Sequence, residues 1–196
     1  MARGWKIDLI LPLDEFEVEL VSMLREHMQL SGMKISEMRR FRDKLAMRAI
    51  AQDADIPVPS FTQVLNYDDV RAYMEVVEPP WMLKPRMEAG AMGIRKITSS
   101  DMLWSAIEEL GDTQSYFLLE KFLPGDVYHV DTLSVDGKSV FVSYQKYANP
   151  PIDIYQGGGV FSTQTVKRKS KDERELKKMN EQVIRTLDIQ NGVTHA

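Results

Sequence analysis

The sequence contains no cysteine, which excludes disulfide bonds, thiolate metal sites and a cysteine nucleophile. It also lacks an excess of positive charge, because 29 acidic residues outnumber 25 basic ones and give a formal net charge of -4. That balance provides no general basis for nucleic-acid binding, for which a basic surface is typical. We therefore expect no nucleic-acid partner.

Long hydrophobic runs are missing as well. The apolar run at residues 7–13 is interrupted by Asp8 and Pro12, so it is too short to span a bilayer, and nothing resembles a signal peptide with its cleavage site. With 43% hydrophobic and 28% charged residues, the 196-residue chain has the composition of a folded, soluble protein. A cytoplasmic location without a membrane partner is the expectation, and the composition leaves homo-oligomer formation open.

The first 35 residues predict too little structure to form a core of their own. Residues 8–12 are expected to form a short buried strand. A helix is expected to begin near Asp14, because acidic side chains in the first turn interact favourably with the helix dipole. Since one strand and one helix cannot bury a core alone, this segment is expected to be the end of a domain that begins earlier.

The order of the predicted elements favours an α+β fold with two lobes. We expect one helix over residues 38–53, then a mixture of strands and helices, and then two long strands joined by Asp136 and Gly137, a residue pair typical of tight hairpins. A strand at residues 160–166 and a charged helix at about residues 171–187 are expected to follow. This order lacks the strict strand–helix alternation of a doubly wound parallel sheet.

Residues 83–94 combine the features of a phosphate-binding flap. Lys84 stands at the end of a hydrophobic strand, and a loop containing Gly90 and Gly93 leads into a return strand. Small residues let backbone N–H groups approach phosphate oxygens, and lysine adds a compact positive charge. The stretch is not a Walker loop, because no Gly-Lys-Ser/Thr sequence ends it at a helix start. A surface hairpin whose lysine is merely solvated is the structural alternative.

Two further stretches are less informative by themselves. Residues 118–125 predict a strand that runs into a Pro-Gly turn, and such a strand end offers backbone N–H and C=O groups to an adenine edge. A strand that simply passes from one lobe to the other is equally consistent. Lys44, with Arg40 and Arg42 nearby, falls within the predicted helix, where basic residues are usually just solvated.

Taken together and in this order, these stretches resemble the ATP-grasp superfamily. The matching residues are Arg42-Asp43-Lys44, Lys84-Pro85 with the Gly90 and Gly93 loop, Glu120-Lys121-Phe122-Leu123 with Gly125, and Tyr128-His129-Val130-Asp131. Within the superfamily, the closest similarity is to the group that holds biotin carboxylase and the carbamoyl-phosphate synthase large subunit. The resemblance covers most of the chain, and the order and spacing of the motifs make it specific.

The resemblance implies an ATP-grasp fold, in which two α+β lobes hold ATP between them. Residues 1–35 would be a remnant of a pre-ATP-grasp domain, and residues 36–122 the N-terminal lobe with its phosphate flap. Residues 123–196 would be the start of the C-terminal lobe, incomplete at its C-terminus. The stretch Gly192-Val193-Thr194-His195 is similar to the approach to the family's metal-binding strand.

The resemblance also implies binding roles for individual positions. The expected phosphate contacts are Lys44, Lys84, Gly90, Ala91, Met92 and Gly93. The expected adenine and ribose contacts are Glu120, Lys121, Phe122, Leu123, Asp126 and His129. Glu120 and Lys121 would act through their backbone and Leu123 through its N–H group, while Asp131 would accompany His129 near the floor of the site. One position departs from the family pattern: the ribose acid expected seven residues beyond Glu120 is Val127, so ribose contact is lost or passes to Asp126.

For activity, the resemblance implies an ATP-dependent carboxylate–amine or carboxylate–thiol ligase that works through an acyl phosphate and requires Mg²⁺. ATP and an unidentified small carboxylate are the expected ligands. The family's metal ligands and catalytic residues are expected beyond Ala196, and Asp131 and Asp153 lack the motif of a metal pair. The chain itself is therefore expected to bind nucleotide weakly or not at all and to be inactive. His27, His129 and His195 show no metal-ligand spacing along the sequence.

Two other functions are weighed against the ligase. A non-catalytic nucleotide-sensing or protein-interaction module would keep the ATP-holding lobes without the metal site. A kinase-like phosphotransferase is disfavoured, because no His-Arg-Asp or Asp-Phe-Gly stretch is present. The basic run at residues 167–178 is expected to be a solvated surface, and the glycines at residues 157–159 a turn rather than a second phosphate loop.

Overall fold

A computed structural model describes residues 4–196 and shows two antiparallel sheets of four strands each, with helices against them. The helices are α1 Val18–His27, α2 Ile35–Arg42, α3 Lys44–Asp53, α4 Tyr67–Val76, α5 Ser100–Leu110, α6 Pro151–Gly157 and α7 Lys171–Thr186. The strands are β1 Phe61–Gln63, β2 Trp81–Pro85, β3 Arg95–Ile97, β4 Phe117–Lys121, β5 Tyr128–Val135, β6 Lys138–Tyr147, β7 Thr163–Thr165 and β8 Gly192–His195. Among these residues no helix has the length and apolar character needed to cross a membrane.

The first sheet has the strand order β1-β4-β2-β3 and separates a hydrophobic core from a polar face. Side chains alternate between the faces of a strand. Trp81 and Leu83 of β2 therefore join the buried core with α4 and α5, whereas Met82 and Lys84 point to the opposite face. The core residues are Val64, Val70, Tyr73, Trp81, Leu83, Ile97, Leu103, Ala106, Ile107 and Leu119. Burial of these apolar side chains fixes β2 and β4 and, with them, the residues of the opposite face.

The second sheet has the order β7-β6-β5-β8, and its long hairpin is the one expected from the sequence. Asp136 and Gly137 take φ values of 49° and 71°, as a two-residue hairpin turn of the primed type requires. One face of β5 packs against α7, where the buried Thr132 hydroxyl and the Asn180 side chain form a hydrogen bond at 3.0 Å. The other face of β5 carries His129 and Asp131. The α+β prediction is confirmed.

The prediction of one helix over residues 38–53 is wrong, because Asp43 divides it into α2 and α3. Asp43 has an extended conformation (φ -83°, ψ 108°), and its carboxylate accepts a hydrogen bond from the Leu45 N–H, which caps α3. The same carboxylate forms a bidentate pair with the Arg86 guanidinium. Lys44 consequently lies at the first position of α3 and not in the middle of a helix.

Three other expectations differ from the structure. Residues 8–12 form no strand, because no segment among residues 4–196 pairs with them. The strand expected at residues 160–166 is confined to β7. Helix α6 is not among the elements expected from the sequence, which predicts only a turn at residues 157–159. Pro151 instead stands in the first turn of the helix, where a missing N–H costs nothing, and Gly158 ends it with φ at 77°.

Candidate functional site

A cleft of about 530 Å³ opens on the polar face of the first sheet. Met82 and Lys84 of β2 and Glu120 of β4 line it from the sheet, and α6 contributes Ile152 and Asp153 from the opposite side. The lining is completed by Pro59, Ala91, Ile94, Lys121, Phe122, Leu123, Pro124, Gly125, Val127, Pro150 and Pro151. The cleft is thus mostly apolar with four charged residues, Lys84, Glu120, Lys121 and Asp153, which is the usual character of a small-molecule site.

Glu120 carries the negative charge at the sheet end of the cleft. Its side chain is 4% exposed, and one carboxylate oxygen contacts the Lys84 ammonium while the other lies 3.2 Å from Arg48 Nε. Lys84 and Glu120 face each other diagonally, since Lys84 pairs with Leu118 in the antiparallel register. Because one carboxylate is shared by two cations, a net positive charge remains at this end of the cleft.

Lys44 adds to this positive charge. Burial, together with the charges of Arg42, Lys84 and Arg48, lowers the pKa of its ammonium from the usual 10.5 to about 8. The ammonium donates to the Glu88 carbonyl in the loop between β2 and β3. Lys44 is not part of the cleft lining, although it is close enough to Lys84 for their charges to interact. This set of neighbouring cations favours an anion as the ligand.

The loop between β2 and β3, expected to be a phosphate flap, has left-handed backbone at three positions. The φ values are 61° at Gly90, 63° at Ala91 and 66° at Gly93. A side chain at Gly93 would place its Cβ 2.9 Å from Pro85 Cγ, so this glycine is required by space as well as by conformation. Of the four expected flap residues, Ala91 lines the cleft, whereas Gly90, Met92 and Gly93 lie outside the lining.

The stretch expected to bind adenine lines the cleft in full. The Lys121 N–H donates to the Ser60 carbonyl at 2.8 Å and the Phe122 N–H to the Pro80 carbonyl at 3.0 Å. These two donors are therefore already used. The Leu123 N–H has no acceptor among residues 4–196. It can therefore donate a hydrogen bond to a ligand in the cleft.

The residues expected near the ribose are not together. Asp126 is exposed and forms an ion pair with Lys146 at 2.5 Å, outside the cleft lining. Val127, which occupies the position of the expected acid, does line the cleft. His129 also lies outside the lining and contacts Asp131 instead. A ribose role for Asp126 or His129 stays a prediction.

Sequence reasoning missed two parts of this region. The first is the contribution of α6, for which the one available signal is Pro151, whose fixed φ suits the start of a helix. The second is a cluster of His129, Asp131 and His195, whose nitrogen and oxygen atoms lie within 4.8 Å of one another. Spacing along the sequence predicts no metal site at these histidines. Strand pairing brings them together, and no sequence signal short of the β5–β8 register indicates it.

Comparison with known proteins identifies relatives among ligases. No protein-family model matches the chain. An L-arginine-specific L-amino acid ligase of Bacillus subtilis is 30% identical over 149 residues, which are 73% of this chain and 36% of that protein. The crystal structure of an L-amino acid ligase from Bacillus licheniformis superposes with a TM-score of 0.75 at 20% identity, over 99% of this chain and 45% of that one.

A third relative was solved with nucleotide. The D-alanine–D-alanine ligase of Bacillus anthracis in complex with ATP superposes with a TM-score of 0.66 at 18% identity, over 96% of this chain and 63% of that one. At this identity the structural similarity shows the fold. The chain spans little more than a third of the length of the Bacillus subtilis relative, at 36%.

Proposed function

Because the chain belongs to the ATP-grasp superfamily, we propose that it forms the ATP-binding part of an ATP-dependent carboxylate–amine or carboxylate–thiol ligase. In this proposal residues 36–122 are the N-terminal lobe and residues 123–196 the start of the C-terminal lobe. The observation that carries the proposal is the cleft itself, which combines the Lys84 ammonium, with Lys44 and Arg48 close to it, and the unused Leu123 N–H in a mostly apolar lining. That combination suits a nucleotide with a polyphosphate.

The phosphate end would be formed by Lys84 and Lys44 with the flap. The pKa of the Lys44 ammonium is lowered by burial and by neighbouring cations. A bound polyphosphate would offset the repulsion among these cations, so a strongly anionic ligand would bind most favourably. The left-handed backbone at Gly90 and Ala91 would present N–H groups to phosphate oxygens. The ion pair with the buried Glu120 would fix the position of the Lys84 ammonium.

The adenine end would be formed by the strand end after β4. Leu123 N–H would donate to a ring nitrogen, and the side chains of Met82, Ile94 and Phe122 would cover the ring. The volume of about 530 Å³ lies within the range of small-molecule sites, roughly 300–1,000 Å³. Glu120 and Lys121 line the cleft, but the side chain of Lys121 is bound to the carbonyls of Glu78 and Pro79.

In the proposed reaction a carboxylate receives the terminal phosphoryl group of ATP, and an amine or thiol then displaces phosphate from the acyl phosphate. The contribution of this chain would be to hold the phosphates in place, neutralise their charge and exclude water, which strengthens the electrostatic interactions in the cleft. The residues that line the cleft do not identify the carboxylate substrate or the nucleophile.

Mg²⁺, which such a reaction requires, does not fit the residues described here. This ion prefers an octahedron of oxygen ligands. Glu120 is occupied by Lys84 and Arg48, which leaves Asp153 as the other carboxylate of the cleft lining, and the cluster of His129, Asp131 and His195 offers two imidazoles beside a single carboxylate. Magnesium binding therefore stays a prediction of the family resemblance.

The proposal is tested by titrating a fluorescent ATP analogue into the wild-type chain and into Lys84→Met, with Lys138→Met as the matched control. Lys138 is exposed on β6, so its loss removes the same charge without touching the cleft. We expect weak binding by the wild type, unchanged binding by the control and at least about tenfold weaker binding by Lys84→Met, since one charge-assisted contact contributes about 1.5–3 kcal/mol. Equal binding by all three proteins would contradict the proposed site.

A further inference from the structure

We propose that His129, Asp131 and His195 bind a divalent transition-metal ion of the zinc type. The three side chains project from the face of the second sheet opposite α7 and outside the cleft lining. The inference does not rest on nucleotide binding, because none of the three residues lines the cleft.

The backbone places the three side chains together. Val130 and Ala196 exchange both of their N–H···O=C bonds, at 2.9 and 3.1 Å, so Asp131 and His195 form the next, non-hydrogen-bonded pair of the β5–β8 ladder. In such pairs the Cα atoms are only about 4.5 Å apart and the side chains lie closest. His129 precedes Asp131 by two residues and therefore lies on the same face. The cluster is thus fixed by strand pairing and not by flexible loops.

The distances suit a shared ion. His195 Nδ1 lies 2.7 Å from Asp131 Oδ1, and His129 Nδ1 lies 3.2 Å from Asp131 Oδ2. Zinc bound tetrahedrally at about 2.0–2.1 Å from each donor needs donor atoms about 3.4 Å apart. The first distance must open by less than about 1 Å to reach that value. His195 can move by this amount, because its side chain is 61% exposed.

The surroundings support the imidazoles as ligands. His129 is buried, and its ring contacts those of Tyr147 and His195 in tilted arrangements, with centroid distances of 5.0 and 4.6 Å. Tyr147 Oη lies 3.5 Å from His195 Nε2. Histidine ligands usually donate their second ring N–H to an oxygen, which fixes the orientation of the ring. For His195 the Tyr147 hydroxyl oxygen would be that acceptor.

The ligand types select the ion. Two imidazoles and one carboxylate suit zinc, cobalt or nickel, whereas Mg²⁺ takes oxygen ligands. Three protein ligands leave a fourth tetrahedral position open. The side chains of His195 and Asp131 are 61% and 37% exposed, so water can reach the cluster as a further ligand. We therefore expect one ion per chain, bound without nucleotide.

The test is a titration of the untagged chain with Co²⁺, followed by its visible absorption, and with Zn²⁺ in competition. The variants are His195→Gln and Asp131→Asn, and the control is His27→Gln, which changes an exposed histidine on α1 in the same way. Circular dichroism confirms that each variant is folded. His195 is mostly exposed, so this variant remains informative if Asp131→Asn fails to fold.

We expect one Co²⁺ per chain with tetrahedral or five-coordinate absorption, displacement by Zn²⁺ and no displacement by millimolar Mg²⁺. His195→Gln and Asp131→Asn should bind at least tenfold more weakly, and His27→Gln as tightly as the wild type. Absence of binding by the wild type, or equal binding by His195→Gln and the wild type, would overturn the site. Both results leave the nucleotide titration interpretable, because that titration rests on Lys84→Met in the cleft and no variant of the metal test alters a cleft residue.

Discussion

Replacement of Lys44 by methionine should stabilise the ligand-free protein at neutral pH. The ammonium of Lys44 is partly buried beside Arg42, Lys84 and Arg48, and its pKa falls from 10.5 to about 8 because burial and these charges disfavour the protonated form. At pH 7 the folded state nevertheless holds Lys44 charged, at a free-energy cost that the unfolded state does not have. Methionine keeps the length and the apolar contacts of the side chain but removes this cost.

The magnitude follows from the pKa. A change from 10.5 to about 8 corresponds to about 3 kcal/mol if fully expressed, at about 1.4 kcal/mol for each pKa unit. Solvent screening at a partly exposed group reduces this to about 1–2 kcal/mol. The lost bond to the Glu88 carbonyl subtracts little, because Glu88 is exposed and water can replace the ammonium.

The sign of the pH dependence is opposite to that of a stabilising lysine. Between about pH 8 and 10.5 the unfolded state binds more protons than the folded state, so the stability of the wild type rises with pH over that window. Urea unfolding of wild type and Lys44→Met, with Lys138→Met as control, should show a gain of about 1–2 kcal/mol at pH 7 that has mostly disappeared at pH 10.5. A variant less stable than the wild type at pH 7, or a difference independent of pH, would refute the reasoning.

Three further substitutions test the backbone and an ion pair near the cleft. In urea denaturation, Gly93→Ala should lower the free energy of unfolding by about 2–3 kcal/mol and Gly90→Ala by about 1 kcal/mol. Both glycines have positive φ, but only at position 93 would an added Cβ lie 2.9 Å from Pro85. Equal losses in the two variants would contradict this crowding. Asp43→Asn should cost about 2–4 kcal/mol at pH 7, because it leaves the Arg86 charge unpaired. Burial raises the pKa of the Asp43 carboxyl, but hydrogen bonds and the charge of Arg86, with backbone N–H groups, lower it by more, so the net pKa is below 3.8. The carboxylate therefore stabilises the protein above the unfolded-state pKa, and this stabilisation is lost as pH falls through the lower pKa of the folded state. Thermal unfolding between pH 2 and 7 should show a smaller acid loss in the variant, and an identical loss would contradict the pairing.

Local signals predicted the elements that depend on neighbouring residues. Strand β2 ends at Lys84 and Pro85, where the sequence predicts the end of a hydrophobic strand, and Ser99 caps α5 by accepting a hydrogen bond from the Met102 N–H. Asn66 caps α4 in the same way. Each of these signals concerns residues a few positions apart, where side-chain chemistry determines the backbone directly.

The failures depend on partners distant in the sequence. Asp43 ends α2 because Arg86, which directly follows β2 and is 43 residues away in the sequence, pairs with its carboxylate, and helix propensity contains no information about that partner. His129 and His195 meet because β5 and β8 pair in one particular register. Of the residues expected to bind the nucleotide, Lys84, Ala91 and residues 120–123 line the same cleft. Their roles toward a nucleotide stay predictions until ligand binding is measured.

The most direct measurement is an NMR titration of the isotopically labelled chain with ATP, which locates even weak binding. The account predicts that the amide signals of Leu123, Gly90 and Ala91 shift progressively with ATP and that those of β8 do not. The same shifts should be absent in Lys84→Met at equal ATP concentration. Shifts confined to another surface, or unchanged Leu123 and flap signals at saturating ATP, would contradict the assignment of this cleft to the nucleotide.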